Sequence, residues 1–280
     1  MMRWAYGIGV ALGCLAAACL LPELRGLAGD GADASTLVDG SSGDANVDGS
    51  ADGAVDVGPD VPRAPCPDSS FCDDFDEGPL GGRWTAIQQL DGVLSLENGG
   101  LSAPNRLRMD LLVPSGASRR AGMQKLIPVP SGLTRVVCTL SVRIDVRPTA
   151  SGDDYQIVEV TLRDGARTST YVKIGPTQTQ LIEGRPGADG GFVTTAKTLT
   201  TAAGGIPSGV WTKVTVDVSY PAKTATLTVS PAGGATTQLS TSIFAGTNDK
   251  TLELYLGEPD DSDNGPSTTQ FDDFRCDLTP

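Results

Sequence analysis

The chain has 280 residues, of which 34 are acidic and 21 are basic, and it contains no histidine. Its net charge of −13 makes it a poor partner for nucleic acid or anionic lipid, because both carry charge of the same sign. The lack of histidine removes the usual base for a serine or cysteine nucleophile and a common zinc ligand.

The N-terminal residues have the form of an export signal. Arg3 supplies a positive charge, and residues 4–21 are uncharged and rich in Ala, Leu and Gly. Residues 15–19 read Leu-Ala-Ala-Ala-Cys and resemble the lipobox of bacterial lipoproteins, although Ala16 stands where that family prefers Leu. The resemblance implies that residues 1–19 hold a lipoprotein-type signal peptide, with cleavage before Cys19 and acylation of its thiol. Cleavage at an Ala-x-Ala site and an uncleaved span are the alternatives, and all three place the rest of the chain outside the cytoplasm. We expect a protein of the bacterial outer membrane or cell surface or, alternatively, a secreted one.

Residues 20–65 are predicted to be a flexible linker. From residue 26 onward the segment is mainly Gly, Ala, Ser, Val and Asp, without any aromatic residue. Aspartates recur at every fourth position from Asp44 to Asp60, but the interleaved glycines and the like charges at that spacing oppose a helix. Such a segment buries too little apolar surface to order itself.

Residues 66–280 are predicted to form one all-β domain, an antiparallel β-sandwich. Residues 139–146 alternate strictly between polar and apolar side chains, and 215–220 continue through a turn into 225–229 as a hairpin. Further strands are predicted over 83–89, 93–97, 106–113, 122–127, 155–163, 168–174, 178–183, 192–198 and 252–256. No stretch holds apolar residues at helical spacing for three turns, so two packed antiparallel sheets are the expected way to bury the apolar side chains.

An aromatic–acid–acid–aromatic phrase occurs at both ends of this domain. Residues 71–75 read Phe-Cys-Asp-Asp-Phe, and residues 271–276 read Phe-Asp-Asp-Phe-Arg-Cys. We expect the two segments to pair as antiparallel strands, which would cluster their acids at one edge. Those acids are Asp73, Asp74, Asp272 and Asp273. They either hold a structural calcium ion, which prefers clustered oxygens, or accept hydrogen bonds from the turn backbone.

Four cysteines lie in this domain, and an even number in an exported domain indicates two disulfides with three possible pairings. Cys66 and Cys72 are close in sequence and flank a proline-containing turn, so we predict that they pair. Cys138, on the inward face of a predicted strand, is then left for Cys276 on the closing strand.

The order and spacing of several motifs resemble those of concanavalin A-like (laminin G-like) jelly rolls. The motifs are the phrase at 71–75 followed by Trp84, Ser-Ala-Pro-Asn at 102–105, Trp211 opening a long hairpin, and the closing phrase at 271–274. The resemblance covers essentially all of residues 66–280. It implies a jelly-roll fold that, on a bacterial lipoprotein, commonly binds carbohydrate or has no known ligand. A minority of the family are glycoside hydrolases or polysaccharide lyases.

The catalytic patterns of that family are incomplete in this chain. Retaining glycosidases of the family carry Glu-x-Asp-x-x-Glu on one strand, whereas Glu159 and Glu253 each stand alone in a predicted strand. Alginate lyases of this fold carry Gln-[Ile/Val]-His and Tyr-x-Lys-x-Gly-x-Tyr. In the matching segments Val158 replaces the histidine and Thr177 replaces the second tyrosine, so the groups that would move the proton are missing.

We therefore predict a surface-tethered, non-catalytic jelly-roll domain that binds an extracellular glycan or another surface ligand. A polysaccharide-degrading enzyme of the same fold and a structural envelope protein are the alternatives. The expected ligand-binding residues are Tyr155, Gln156, Tyr171 and Lys173. The domain is expected to bind no nucleic acid and to meet the membrane only through its lipid anchor. A structural calcium ion at the paired aspartates is the one candidate cofactor, and backbone hydrogen bonding without an ion is its alternative.

Overall fold

The strands of the computed structural model account for most of the residues that it describes. These are residues 66–67, 70–102, 104–111, 119–150, 152–163, 167–188, 191–244, 251–262 and 265–280. The predicted signal peptide (1–19), its Cys19 and the predicted linker (20–65) lie outside the described residues. Within the described part of the chain, no helix is long and apolar enough to cross a membrane.

The described residues form fifteen strands and one short 3-10 helix, Thr201–Ala203. The strands are β1 (Ser70–Asp73), β2 (Ala86–Leu90), β3 (Gly92–Asn98), β4 (Asn105–Leu111), β5 (Arg119–Pro128), β6 (Arg135–Val146), β7 (Tyr155–Arg163), β8 (Arg167–Ile174), β9 (Gln178–Pro186), β10 (Phe192–Thr200), β11 (Thr212–Ser219), β12 (Thr224–Pro231), β13 (Thr237–Ser242), β14 (Thr251–Ser262) and β15 (Ser267–Thr279).

The strands build two antiparallel sheets. The eight-stranded sheet has the order β13-β12-β11-β6-β15-β4-β3, and β1 also pairs with β15. The seven-stranded sheet has the order β10-β9-β8-β7-β14-β5-β2. The predicted all-β antiparallel sandwich is confirmed.

Alternating side chains from both sheets form one hydrophobic core. On β6 every second side chain, such as Leu140 and Val142, is fully buried, and on β14 Leu252 and Leu254 repeat the pattern from the other sheet. Successive side chains of a strand point to opposite faces, so this alternation fixes which face of each sheet meets the core.

The first and last strands are antiparallel neighbours, as the repeated phrase predicts. Phe71 lies opposite Cys276, and Asp73 lies opposite Phe274. The ring centroids of Phe71 and Trp84 are 5.0 Å apart, and those of Trp84 and Phe274 are 5.3 Å apart. Trp84 therefore serves core packing.

The structure contains the two disulfides that the sequence predicts. One joins Cys66 to Cys72, and the other joins Cys138 to Cys276 across a sequence separation of 138 residues. Cys138 and Cys276 lie directly opposite each other on β6 and β15. The second bridge thus ties the closing strand to the middle of its sheet.

Two differences from the predicted strands have local causes. β1 ends at Asp73, short of the predicted residue 75, because Phe75 takes a left-handed φ of 64° that interrupts the strand. β13 is absent from the prediction because its sequence, Thr-Gln-Leu-Ser-Thr-Ser, shows a single large apolar residue. It forms by pairing with β12.

Candidate functional site

The outer side of the seven-stranded sheet carries polar side chains at positions that alternate with the core. On β7, Val158, Val160 and Leu162 belong to the hydrophobic core, so Glu159 and Thr161 point to the opposite face. The same alternation on β5, β8 and β14 selects the other members of what we call the polar face. Its members are Gln124, Glu159, Thr161, Arg163, Arg167, Ser169, Tyr171, Lys173, Glu253 and Tyr255.

The register of β8, β7 and β14 places these side chains in two rows. Glu159 lies directly opposite Tyr171 on one side and Tyr255 on the other. In the adjacent row, Thr161 lies opposite both Ser169 and Glu253. Directly opposed residues in antiparallel strands have Cβ atoms about 5 Å apart, so the side chains of each row can contact one another.

Glu159 is the hydrogen-bonding centre of the first row. Its side chain is 2% exposed and accepts a bond from Arg167 Nη2 at 2.8 Å. Gln156 Nε2 donates to the other carboxylate oxygen at 3.0 Å, and the Thr161 hydroxyl also donates to Glu159. The buried carboxylate is thus paired with a cation and hydrogen-bonded through both oxygens, as a buried charge requires.

Glu253 forms a second, linked cluster. Arg163 Nε lies 2.6 Å from Glu253 Oε1, and the Tyr255 hydroxyl donates to Oε2 at 3.1 Å. Gln124 Nε2 in turn donates to the Tyr255 hydroxyl at 2.6 Å. Burial, together with the negative charge of Glu253, raises the pKa of Tyr255 to about 12. This phenol therefore stays protonated at neutral pH.

The charges of the polar face are balanced, and the cations are its accessible part. The Lys173 ammonium lies 2.7 Å from Asp154, so this third cation also has an acidic partner. The side chain of Arg163 is 50% exposed and that of Arg167 is 35% exposed, whereas both partner glutamates are buried. An incoming ligand would therefore meet guanidinium groups and tyrosine before it met the carboxylates.

The predicted ligand-binding residues separate into two groups. Tyr171 and Lys173 lie on the polar face and are partly exposed. The prediction for Tyr155 is wrong, because its side chain is fully buried and its hydroxyl bonds Thr269 at 2.7 Å. The β7–β8 register shifts by one residue after Gln156. Tyr155 therefore faces the core, although it is an even number of residues away from Glu159, which lies on the polar face. Gln156 is buried and contributes through its bond to Glu159.

Sequence reasoning predicted only Tyr171 and Lys173 of the ten members and missed the other eight: Gln124, Glu159, Thr161, Arg163, Arg167, Ser169, Glu253 and Tyr255. A partial signal was present, because Glu253 and Tyr255 are two residues apart on one predicted strand and must share a face. What the sequence lacks is the pairing of β14 with β7, which brings Glu253 next to the Glu159 row.

The paired aspartates of the repeated phrase are engaged with the protein itself. Asp73 accepts bonds from Trp84 Nε1 at 2.7 Å and from the Phe75 amide at 2.9 Å. Asp272 accepts bonds from the Ser102 amide and hydroxyl, each at 2.9 Å. Burial, helped by the neighbouring charge of Asp273, raises the pKa of Asp272 to about 6.

The structure does not assemble the predicted calcium site. Among the described residues, which include Asp73, Asp74, Asp272 and Asp273, no group of three or more His, Cys, Asp or Glu could hold a metal ion. Of the two alternatives from the sequence, the geometry matches the one in which the carboxylates accept backbone N–H bonds.

The fold and the polar face together describe a two-sheet antiparallel sandwich with a hydrogen-bonded surface on one sheet. No family model and no curated protein match the chain. Three solved structures are among those that match the chain. An alginate lyase from Klebsiella pneumoniae is 8% identical, with a TM-score of 0.45, over 66% of this chain and 84% of that chain. Cellulose induced protein, Cip1, is 14% identical, with a TM-score of 0.46, over 75% of this chain and 96% of that chain. A Lotus tetragonolobus seed lectin is 10% identical, with a TM-score of 0.45, over 75% of this chain and 98% of that chain.

Proposed function

We propose that the protein binds an uncharged extracellular glycan on the polar face and does not cleave it. The observation that carries this proposal is the pair of rows centred on Glu159 and Glu253. They offer carboxylate, amide, hydroxyl and guanidinium groups side by side. Sugar hydroxyls donate and accept hydrogen bonds, so a ligand of this class can use both kinds of partner.

The face is organised before a ligand arrives. Arg163 and Arg167 are held by their glutamates at 2.6 and 2.8 Å, so their long side chains lose less freedom on binding than free arginines would. Tyr171 lies in the same row as Glu159 and is partly exposed. A tyrosine ring in that position can pack against the apolar face of a sugar ring.

The balanced charges favour neutral sugars over uronic acids. A sugar carboxylate binds best to a cation without a partner, whereas Arg163, Arg167 and Lys173 each have an acidic one. If an anionic sugar took either arginine, it would leave a buried glutamate without its cation, and that costs several kcal/mol by order of magnitude.

The same contacts speak against cleavage. A glycosidase needs two carboxyl groups that reach the scissile bond, and both Glu159 and Glu253 are buried and paired with arginine. A lyase needs a base, and Tyr255, with a pKa raised to about 12, is protonated at neutral pH.

Titration calorimetry of the purified chain against neutral oligosaccharides and matched oligouronates tests the proposal. We expect binding to the neutral series, and Tyr171→Ala should weaken it by about tenfold through loss of ring packing. Arg163→Met should weaken it as well. Arg135→Met is the matched control, because Arg135 also lies 2.6 Å from its acidic partner and is 53% exposed, but on the eight-stranded sheet.

Three results would contradict the proposal. Binding of neither series would remove the glycan function. Binding of the oligouronates alone would remove the preference for uncharged sugars. New reducing or unsaturated ends in the incubated oligosaccharides would show cleavage and make the protein an enzyme.

A further inference from the structure

Strand β10 is a long, open edge of the seven-stranded sheet. All of its nine residues are exposed except Leu199, which is half-buried. Among the described strands it pairs with β9 alone. The other three outer strands of the two sheets are shorter, with five residues in β2, six in β13 and seven in β3.

Apart from one lysine, the strand lacks the features that usually protect such an edge. It contains no proline or glycine, and it pairs with β9 over nine consecutive residues without a bulge. Its sequence, Phe-Val-Thr-Thr-Ala-Lys-Thr-Leu-Thr, is rich in strand-forming residues and has one charge, Lys197. An exposed, regular edge of this kind offers unpaired backbone groups to another strand.

We propose that a second copy of the chain pairs with this edge, antiparallel and symmetric about Ala196. In that register Phe192 lies opposite Thr200 of the second copy, so the full strand is used. Val193 of one copy lies opposite Leu199 of the other, and the two-fold symmetry repeats this apolar pair. Lys197 lies opposite Thr195, so the two lysines do not face each other.

The local charge explains why a second copy fits here. The chain as a whole has a net charge of −13, which opposes self-association over most surfaces. β10 carries no acid and a single lysine, so the repulsion is small along this edge. Exposed apolar side chains also gather at its start: Phe192 is 51% exposed, Val193 43% and Phe244, which stacks on Arg185, 57%.

The pairing would join two seven-stranded sheets into one continuous sheet. The two-fold axis of an antiparallel edge pair is perpendicular to the sheet, so both polar faces would lie on the same side. The pairing itself does not depend on glycan binding. If the proposed glycan binding holds, the dimer would present two sites to one polymer and gain affinity through effective concentration.

Sedimentation equilibrium of the full chain tests the proposal. Detergent is present throughout, so that the apolar N-terminal stretch does not drive association. In Thr195→Lys, two like-charged pairs would face each other across the interface, and the dissociation constant of the dimer should rise about tenfold. In Thr195→Glu, each glutamate would face Lys197, and the constant should fall by a similar factor. Thr195 is exposed, so neither change removes a core contact.

The control variants carry the same charge changes at Ser131, an exposed turn residue between β5 and β6. Ser131→Lys and Ser131→Glu should leave the dissociation constant unchanged. Amide hydrogen exchange should slow in β10 as the concentration of the wild type rises. A wild type that stays monomeric at all concentrations would overturn the proposal. Equal shifts in Thr195→Lys and Thr195→Glu, or equal effects at Ser131, would do so too.

Discussion

Buried aspartates stabilise the backbone at both ends of the domain. Phe75 and Asp273 have φ angles of 64° and 53°, which side-chain-bearing residues seldom adopt. In each case the amide of that residue donates to a nearby carboxylate, that of Asp73 or of Asp272. The repeated acids thus hold two irregular backbone segments in place, because a short carboxylate can accept an adjacent N–H.

Asp272→Asn tests this role through the pH dependence of stability. The pKa of Asp272 is raised from 3.8 to about 6, so the folded state binds its proton more tightly than the unfolded chain does. Its stabilising contribution is present below about pH 4 and is lost as the pH rises to about 6. The difference in unfolding free energy between wild type and variant should therefore fall by about 2 kcal/mol from pH 4 to pH 7, measured by urea unfolding.

Asp110→Asn is the control with the opposite sign. Burial raises the pKa of Asp110, but hydrogen bonds from Arg108 and Thr268 outweigh it and lower the pKa overall. The stability from Asp110 is therefore present at neutral pH and lost on acidification. A difference for Asp272→Asn that stays constant from pH 4 to pH 7 would contradict the raised pKa.

At the scale of secondary structure, the sequence separation of the two segments that a disulfide joins sets how much it contributes to stability. Cys138 and Cys276 join β6 to β15, the closing strand, whereas Cys66 and Cys72 are only 6 residues apart in sequence. In the chain-entropy model, a longer closed loop removes more freedom from the unfolded chain.

Replacing both cysteines of one bridge at a time by alanine should show how much each disulfide contributes to the free energy of unfolding. For the 138-residue separation between Cys138 and Cys276, the expected loss is about 5 kcal/mol, against about 2 kcal/mol for Cys66 and Cys72. Urea unfolding of the two double variants measures both values. Equal losses would mean that local strain or residual structure, rather than loop length, sets the contribution.

At the scale of the whole molecule, anchoring is the prediction that the described residues leave open. If Cys19 is acylated, Cys19→Ala should move the protein from the membrane fraction to the soluble fraction, because the acyl chains supply the attachment. Cys14→Ala is the matched control, since Cys14 lies in the same apolar stretch. Unchanged partition of Cys19→Ala would instead favour an uncleaved N-terminal span.

The amino-acid pattern alone was sufficient to predict the all-β sandwich and most of its strands. The alternation of polar and apolar residues indicates which face of each strand is buried, and clusters of turn residues indicate where strands end. The repeated phrase was enough to predict that β1 pairs with β15. Proximity in sequence was enough to predict the Cys66–Cys72 bridge. Cys138 and Cys276 were then the two cysteines that remained to form the second one.

The polar face, in contrast, depends on long-range strand pairing. Glu159 and Glu253 are far apart in the chain, and each looks isolated within its own strand. They become neighbours because β14 pairs with β7, a long-range hydrogen-bonding choice that the alternation within a strand does not encode. The burial of Tyr155 was decided in the same way, because the register break after Gln156 depends on how β7 pairs with β8.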